Sequence, residues 1–281
     1  MRIEFLGTGG YHPNERRHTA CVMLPEEGIV FDAGTSAFRI ASRLKTEALD
    51  IFLSHAHLDH IAGLTYFLVP VMSGAVQALT VHATPGVLEA VRTHLFSEAL
   101  FPVNPPFAMR ELASTGACPA GKHLTMHWTP LSSHPGGSMA YRLDRQDGQG
   151  VVRDSSGGGV RAIARLTEEV PLTSRNKPPG ADSVAYVTDT FVDGTYTEFI
   201  RGVDVLIHEC YFGDDRAEFA EKTGHSFASQ VAHLAREAAV GRLIAIHIDP
   251  QNETDDPIGL AAMRKIFPNT QLAEDGMTIE I

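Results

Sequence analysis

One seven-residue stretch, Ser54-His55-Ala56-His57-Leu58-Asp59-His60, constrains this chain more than any other. Three imidazoles and a carboxylate fall within six positions, directly behind the apolar run Ile51-Phe52-Leu53. With Ala48-Leu49-Asp50 ahead of it, that run reads as a short buried strand. In extended or turning backbone His55 and His57 point the same way. Asp59 and His60 then fall at the start of the helix-like Ile61-Ala62-Gly63-Leu64. The end of one strand thus presents ligands to two neighbouring points in space. Imidazole nitrogen and carboxylate oxygen suit zinc and related divalent metals. An open coordination position makes a bound water acidic enough to attack near neutral pH. The alternative is a solvated loop that happens to be rich in histidine.

His-x-His-x-Asp-His after a buried strand resembles the metallo-β-lactamase superfamily of binuclear metallohydrolases. The resemblance covers nearly the whole chain. It implies an α/β fold, the αββα sandwich of two mixed β-sheets flanked by helices, as a single domain over residues 1–281. Near the N-terminus stand Phe5-Leu6-Gly7-Thr8-Gly9-Gly10, the basic Arg16-Arg17, and Phe31-Asp32-Ala33-Gly34. That series resembles the start of the ribonuclease Z-like branch. Simple turn chemistry is the other reading of Gly9 and Gly10.

The rest of the chain alternates strand and helix patterns. Strands are expected at residues 3–7, 19–24, 28–32, 79–82, 124–131, 138–143, 183–188, 203–207 and 243–248. Helices are expected over 61–69, stopped by Pro70, over 85–95 with Pro85 in the first turn, and over 226–239 and 257–266. Residues 101–107 are Pro-rich and irregular. Residues 144–159 and 171–181 read as loop-like surface excursions within one domain.

Two metals need more ligands than residues 55–60 supply. His134 follows one strand, Asp189 ends another, and His247 sits in Leu-Ile-Ala-Ile-His-Ile. A lone strand histidine is more often packed or exposed than ligating, and Asp before a turn is common. The superfamily pattern, however, has a His, an Asp and a His in this order. The resemblance therefore implies His55, His57 and His134 on one metal, and Asp59, His60 and His247 on the other, with Asp189 bridging. Asp59 would also orient the attacking water or accept its proton. Zinc is expected, with manganese or iron as alternatives for the same ligands.

Two further segments narrow the branch. Ribonuclease Z-like proteins carry His-Glu-Ala-Thr, then Gly-His-Ser before a helix; this chain has His208-Glu209-Cys210-Tyr211, then Gly224-His225-Ser226. Glu209 and His225 map onto that branch's acid pair, which β-lactamases proper lack. A histidine held by a carboxylate suits protonation of a departing alkoxide. The alternative has His225 as a helix N-terminal residue with Ser226 as cap. Other histidines, His12, His18, His82, His94, His123, His127 and His233, are expected at the surface or packed, with His18 kept open because the N-terminal turn often lies near the metal face.

Charge bears on the substrate. The formal net charge is −11, and Arg16-Arg17 is the only basic cluster noted. A protein gripping long RNA or DNA usually shows a basic face. The tRNA enzymes hold tRNA with a Gly/Pro-rich basic arm, whereas residues 144–182 here are short and weakly basic. They also usually carry an Arg where Asp189-Thr190 is followed by Phe-Val-Asp-Gly. Small or cyclic phosphodiesters are thus expected as substrates of a metal-dependent phosphodiesterase, and extended nucleic acid less so. The rivals are a tRNA 3′-processing endonuclease, a sulfate-ester or lactone hydrolase, and a non-catalytic metal-binding protein. Three widely spaced cysteines, no leader-like N-terminus and no long apolar run point to a reducing, cytoplasmic setting without a membrane span. Homodimers are common among relatives, but the sequence does not fix the oligomeric state.

Overall fold

The computed structural model describes residues 1–145 and 182–281. Their strands, in chain order, are β1 (Arg2–Gly7), β2 (Cys21–Leu24), β3 (Ile29–Phe31), β4 (Ala48–Phe52), β5 (Ala78–Ala83), β6 (Ala108–Glu111) and β7 (Gly116–Ala120). There follow β8 (Leu124–Leu131), β9 (Ser138–Arg145), β10 (Ser183–Val187), β11 (Val205–Glu209), β12 (Arg242–Ile246), β13 (Thr270–Leu272) and β14 (Thr278–Glu280). They form two seven-stranded sheets, in the orders β14-β1-β2-β3-β4-β5-β6 and β13-β12-β11-β10-β9-β8-β7. In the first sheet β14 through β3 pair antiparallel and β3 through β6 parallel. The second repeats the scheme, antiparallel from β7 to β10 and parallel from there to β13. This is the expected mixed two-sheet architecture.

An aromatic core lies between the sheets. Phe31 of the first sheet stacks on Tyr186 of the second at 5.0 Å and 7°, and on Tyr141 at 5.8 Å. Two phenols also tie the layers by hydrogen bonds: Tyr141 donates to the Leu53 carbonyl at 2.6 Å, and Tyr186 to the Asp32 carboxylate at 2.7 Å. Each sheet buries its other face under helices. The amphipathic Ala228–Glu237 helix packs Val231, Leu234 and Ala235 with residues of β10, β11 and β12. Leu64 and Leu88 join Val30, Ile51 and Val81 on the outer face of the first sheet.

Several boundaries differ from the sequence expectation for identifiable reasons. Pro70 does not end a helix. The chain runs from Leu58–Ile61 through a 3₁₀ stretch, Ala62–Phe67, into a new helix, Leu68–Met72, whose first turn holds Pro70; no intrahelical N–H is needed there. His247 lies one residue beyond β12, with φ at 56°, not within a strand. The helix expected from 226 begins at Ala228, so Ser226 is not its cap, and its hydroxyl bonds the Thr190 carbonyl at 2.6 Å. The edge strands β6, β7, β13 and β14 lacked a clear alternating signal; β6 is nearly all exposed.

At the outer ends of β9 and β10 the chain is stapled. The Arg145 amide donates to the Asp182 carbonyl at 2.9 Å and its guanidinium meets the Asp182 carboxylate at 3.0 Å. The loops expected over 144–159 and 171–181 lie almost wholly outside the described residues.

Replacing Tyr141 by Phe removes a buried inter-sheet bond while keeping the ring stack. Urea unfolding should show a loss of about 1 kcal/mol, the usual net worth of such a bond. No loss would mean that this bond is not part of what holds the motif strand.

Candidate metal centre

The polar residues converge where strands in the parallel half of each sheet end, the usual place for a site in sheets with parallel strands. β4 leads into Ser54–His60, β10 into Asp189, β11 ends in Glu209, and β12 runs into His247. His57 is extended at the start of the Leu58–Ile61 helix, whose first turn carries Asp59 and His60, and the His60 ring lies 4.2 Å from that of His55. All seven residues expected as ligands come together. One group comprises His55, His57, His134 and Asp189, and a second Asp59, His60 and His247; a third, Asp189, His225 and His247, overlaps both.

His60 Nε2 and His247 Nε2 lie 3.2 Å apart, and each lies 3.1–3.3 Å from Asp59 Oδ2 and from Asp189 Oδ2. Nitrogen and oxygen donors gathered this closely suit an ion bound at about 2 Å, the Zn–N and Zn–O bond length. The other Asp189 oxygen, Oδ1, faces the first group at 3.8 Å from both His55 Nε2 and His134 Nε2. One carboxylate therefore points an oxygen at each group. The buried His55 Nε2 has no hydrogen-bond partner among the described residues, and such orphans are rare unless a ligand takes them.

Charge gives the same answer. Burial disfavours the His60 cation, yet Asp189, Asp59 and Asp32 outweigh it and hold His60 protonated well above its ordinary range. Burial likewise raises Asp59 and Asp189, but the surrounding histidines pull both below the carboxylate range. The pocket carries an excess of carboxylate that a cation would neutralise. His55 and His134, by contrast, are lowered chiefly by burial, which keeps their lone pairs available. The donor set and its spacing fit divalent metal ions.

The sequence reading did not assign a role to Asp32. Fully buried at the end of β3, its carboxylate accepts from His60 Nδ1 at 2.8 Å, the Ser54 amide at 2.7 Å and the Tyr186 hydroxyl at 2.7 Å. A carboxylate behind a histidine fixes its tautomer and aim. Its signal lay in Phe-Asp-Ala-Gly, a charged residue after an apolar strand. The glycines there are close-approach residues: a Cβ on Gly10 would sit 2.5 Å from His247 Cε1, and one on Gly34 would sit 2.4 Å from the Asp59 carbonyl. The Tyr11 amide donates to Asp59 Oδ2 at 2.8 Å. Tyr11, Asp32, Asp189 and His247 all have positive φ, a strain typical of functional sites.

His225 and Glu209 stand beside the cluster. Glu209 is fully buried and accepts from the Thr190 amide at 2.7 Å, the Ser226 amide at 3.2 Å and His225 Nδ1 at 3.1 Å. The His225 ring lies 5.0 Å from that of His134 and 5.5 Å from that of His247. Burial disfavours its cation, but Glu209 outweighs this, with Asp189 and Asp59 adding to the effect, and its pKa rises to about 9. Gly224, at φ 73°, accepts from His134 Nδ1 at 3.1 Å and so locks this turn to a candidate ligand. His18 lies near Thr35, its Nδ1 3.1 Å from the hydroxyl, and outside both ligand groups. His82 is packed on Phe52 and paired with Asp50 at 2.7 Å.

Comparison with known proteins places this geometry. A β-lactamase superfamily domain model matches residues 28–153. Ribonuclease Z of Methanosarcina mazei is 32% identical over 305 aligned residues, covering 100% of this chain and 98% of the relative. The metallo-β-lactamase fold protein YhfI of Bacillus subtilis superposes at TM-score 0.71 with 18% identity, covering 99% of each chain. The short form of human tRNase Z does so at 0.69 with 19% identity, covering 100% and 99%. The chain belongs to the ribonuclease Z-like branch of the metallo-β-lactamase superfamily and, with it, to the metal-dependent hydrolases.

Asp32→Ala should weaken metal binding by ~10–100-fold in competition with a chromophoric chelator, as loss of a carboxylate behind a ligating histidine does elsewhere. Gly10→Ala, which drives a methyl into the His247 ring, should lower metal content per chain in elemental analysis. Full metal content in both variants would mean that His60 and His247 are not ligands.

Proposed function

We propose that the chain is a phosphodiesterase acting on small or cyclic phosphodiesters, with His225 as general acid. His55, His57 and His134 would hold one metal ion, Asp59, His60 and His247 a second, and Asp189 would bridge them. Divalent ions held there supply Lewis acidity toward the phosphoryl oxygens and toward water, and zinc is the proposed metal. Asp59, fixed by the Tyr11 amide, orients the attacking water and accepts its proton. His225 gives its proton to the leaving oxygen as the P–O bond breaks, and Glu209 stabilises the imidazolium before transfer and aims Nε2 by holding Nδ1. The observation that carries this reading is the His225–Glu209 pair standing beside the ligand cluster.

Small substrates are favoured by the formal net charge of −11 and by how four arginines among the described residues are held. Arg17 is buried against Thr8 and the Ala273 carbonyl. Arg16, Arg39 and Arg216 are paired with Asp255, Asp275 and Asp249. Each of these four arginines thus has an acidic or backbone partner, which lessens what it offers to a phosphate backbone. A second reading, ribonuclease activity on tRNA, draws on the names of full-length relatives. No helix among the described residues is long and apolar enough to cross a membrane. The three cysteines are free and buried, in keeping with a cytoplasmic location.

Metal-reconstituted protein should hydrolyse bis(p-nitrophenyl) phosphate and 2′,3′-cyclic nucleotides. His225→Ala should keep its metal and lose ~10²-fold or more on the cyclic nucleotide, whose leaving oxygen needs the proton. Cleavage of a 3′-extended precursor tRNA far faster than of either small substrate, with steep salt dependence, would transfer the assignment to tRNA. Absence of turnover on all three with metal bound would overturn the phosphodiesterase reading.

A further inference from the structure

Glu209 holds His225 through a single hydrogen bond at Nδ1. One bond at one edge leaves the imidazole free to tilt about it, so packing must set the plane of the ring. Of the rings around His225, that of Tyr211 is nearest and most nearly parallel: centroids 4.5 Å apart, planes at 21°. His134, His247 and Phe212 lie farther off, at 5.0, 5.5 and 6.4 Å. The branch motif His-Glu-Ala-Thr resembled here has threonine at this place, a side chain with no ring to stack.

The backing of Tyr211 is rigid. Phe212 beside it donates its amide to the Ser226 carbonyl and accepts from the Ala228 amide, so this segment is tied across the turn that carries His225. Arg216 lies over the Phe212 ring at 4.9 Å and is itself anchored to Asp249 at 2.6 Å. The Tyr211 ring also lies 5.7 Å from that of His247, at the steeper angle of 45°. It meets His225 as a flat wall, face to face.

Resting on the reading of His225 as general acid, we propose that Tyr211 is its positioning residue, the ring that fixes the imidazole plane so that the proton faces the leaving oxygen. Water forms the new P–O bond and gives up a proton to Asp59. The old P–O bond breaks with its electron pair going to the leaving oxygen, which takes the His225 proton. Tyr211 gains and loses nothing.

The test compares two phosphodiesters, one losing p-nitrophenolate, which needs little help from a proton, and a dinucleotide losing a ribose 5′-alkoxide, which needs much. Tyr211→Ala and Tyr211→Thr should lower kcat on the dinucleotide by ~10-fold or more, as misplacement of a catalytic group does. KM and metal content should stay unchanged, with turnover of the p-nitrophenyl ester within about twofold. Tyr211→Phe, which keeps the ring, should behave as the parent protein. His225→Ala, run alongside, should show the same split between leaving groups more strongly. Equal losses on both substrates, loss of metal, no loss at all, or a defect in Tyr211→Phe as large as in Tyr211→Ala would each overturn the assignment. If His225→Ala itself fails to separate the leaving groups, the general-acid reading falls, and this inference with it. A split in His225→Ala but not in Tyr211→Ala removes the inference alone.

Discussion

A single buried carboxylate, Asp32, holds together what both sheets contribute. It accepts from His60, from Ser54 ahead of the histidine motif, and from Tyr186 on the opposite sheet. Burying an ion is costly unless its lone pairs are satisfied and a compensating charge is near. Here three donors meet it, from the His60 ring, the Ser54 amide and the Tyr186 hydroxyl. The same atoms thus serve layer packing and ligand aim, so the spacing of the sheets and the position of His60 cannot be changed separately.

Much of this was legible in the sequence because the chemistry is local. His55, His57, Asp59 and His60 lie on one strand end, and their side-chain directions follow from strand and turn geometry alone. His134, Asp189 and His247 were reachable only through a family pattern, since nothing in a lone histidine after a strand says where the sheet will carry it. Asp32 escaped assignment because its partners, Ser54 and Tyr186, are 22 and 154 residues away. Edge strands such as β6 lacked a buried face and so lacked a period. Pro70 misled because a residue that breaks a helix interior is tolerated in a first turn, where it stands here.

The strained positions share a cause. His247 follows directly on β12 and Asp189 stands two residues beyond β10, where extended backbone would carry their side chains along the sheet rather than across its end. A positive φ reverses the chain at that residue and swings the side chain into the cluster. Gly10 and Gly34 do the complementary work, since the absence of a Cβ lets neighbouring backbone lie directly against His247 and Asp59. The site is close-packed on its protein side, and its histidines have little room to rotate away.

The stapled ends of β9 and β10 have an evolutionary consequence. With Arg145 and Asp182 already held side by side by backbone and ion-pair contacts, the chain joining them closes a circuit whose ends the sheet has fixed. The entropy of closing such a circuit rises only logarithmically, by about 0.6 kcal/mol for each doubling of its length. The hairpin is therefore a socket. Segments of very different length and character can be exchanged in it at small thermodynamic cost, while the ligand-bearing strand ends stay where they are. Whatever length joins them, the register of β9 against β10 keeps Arg145 and Asp182 where the sheet puts them.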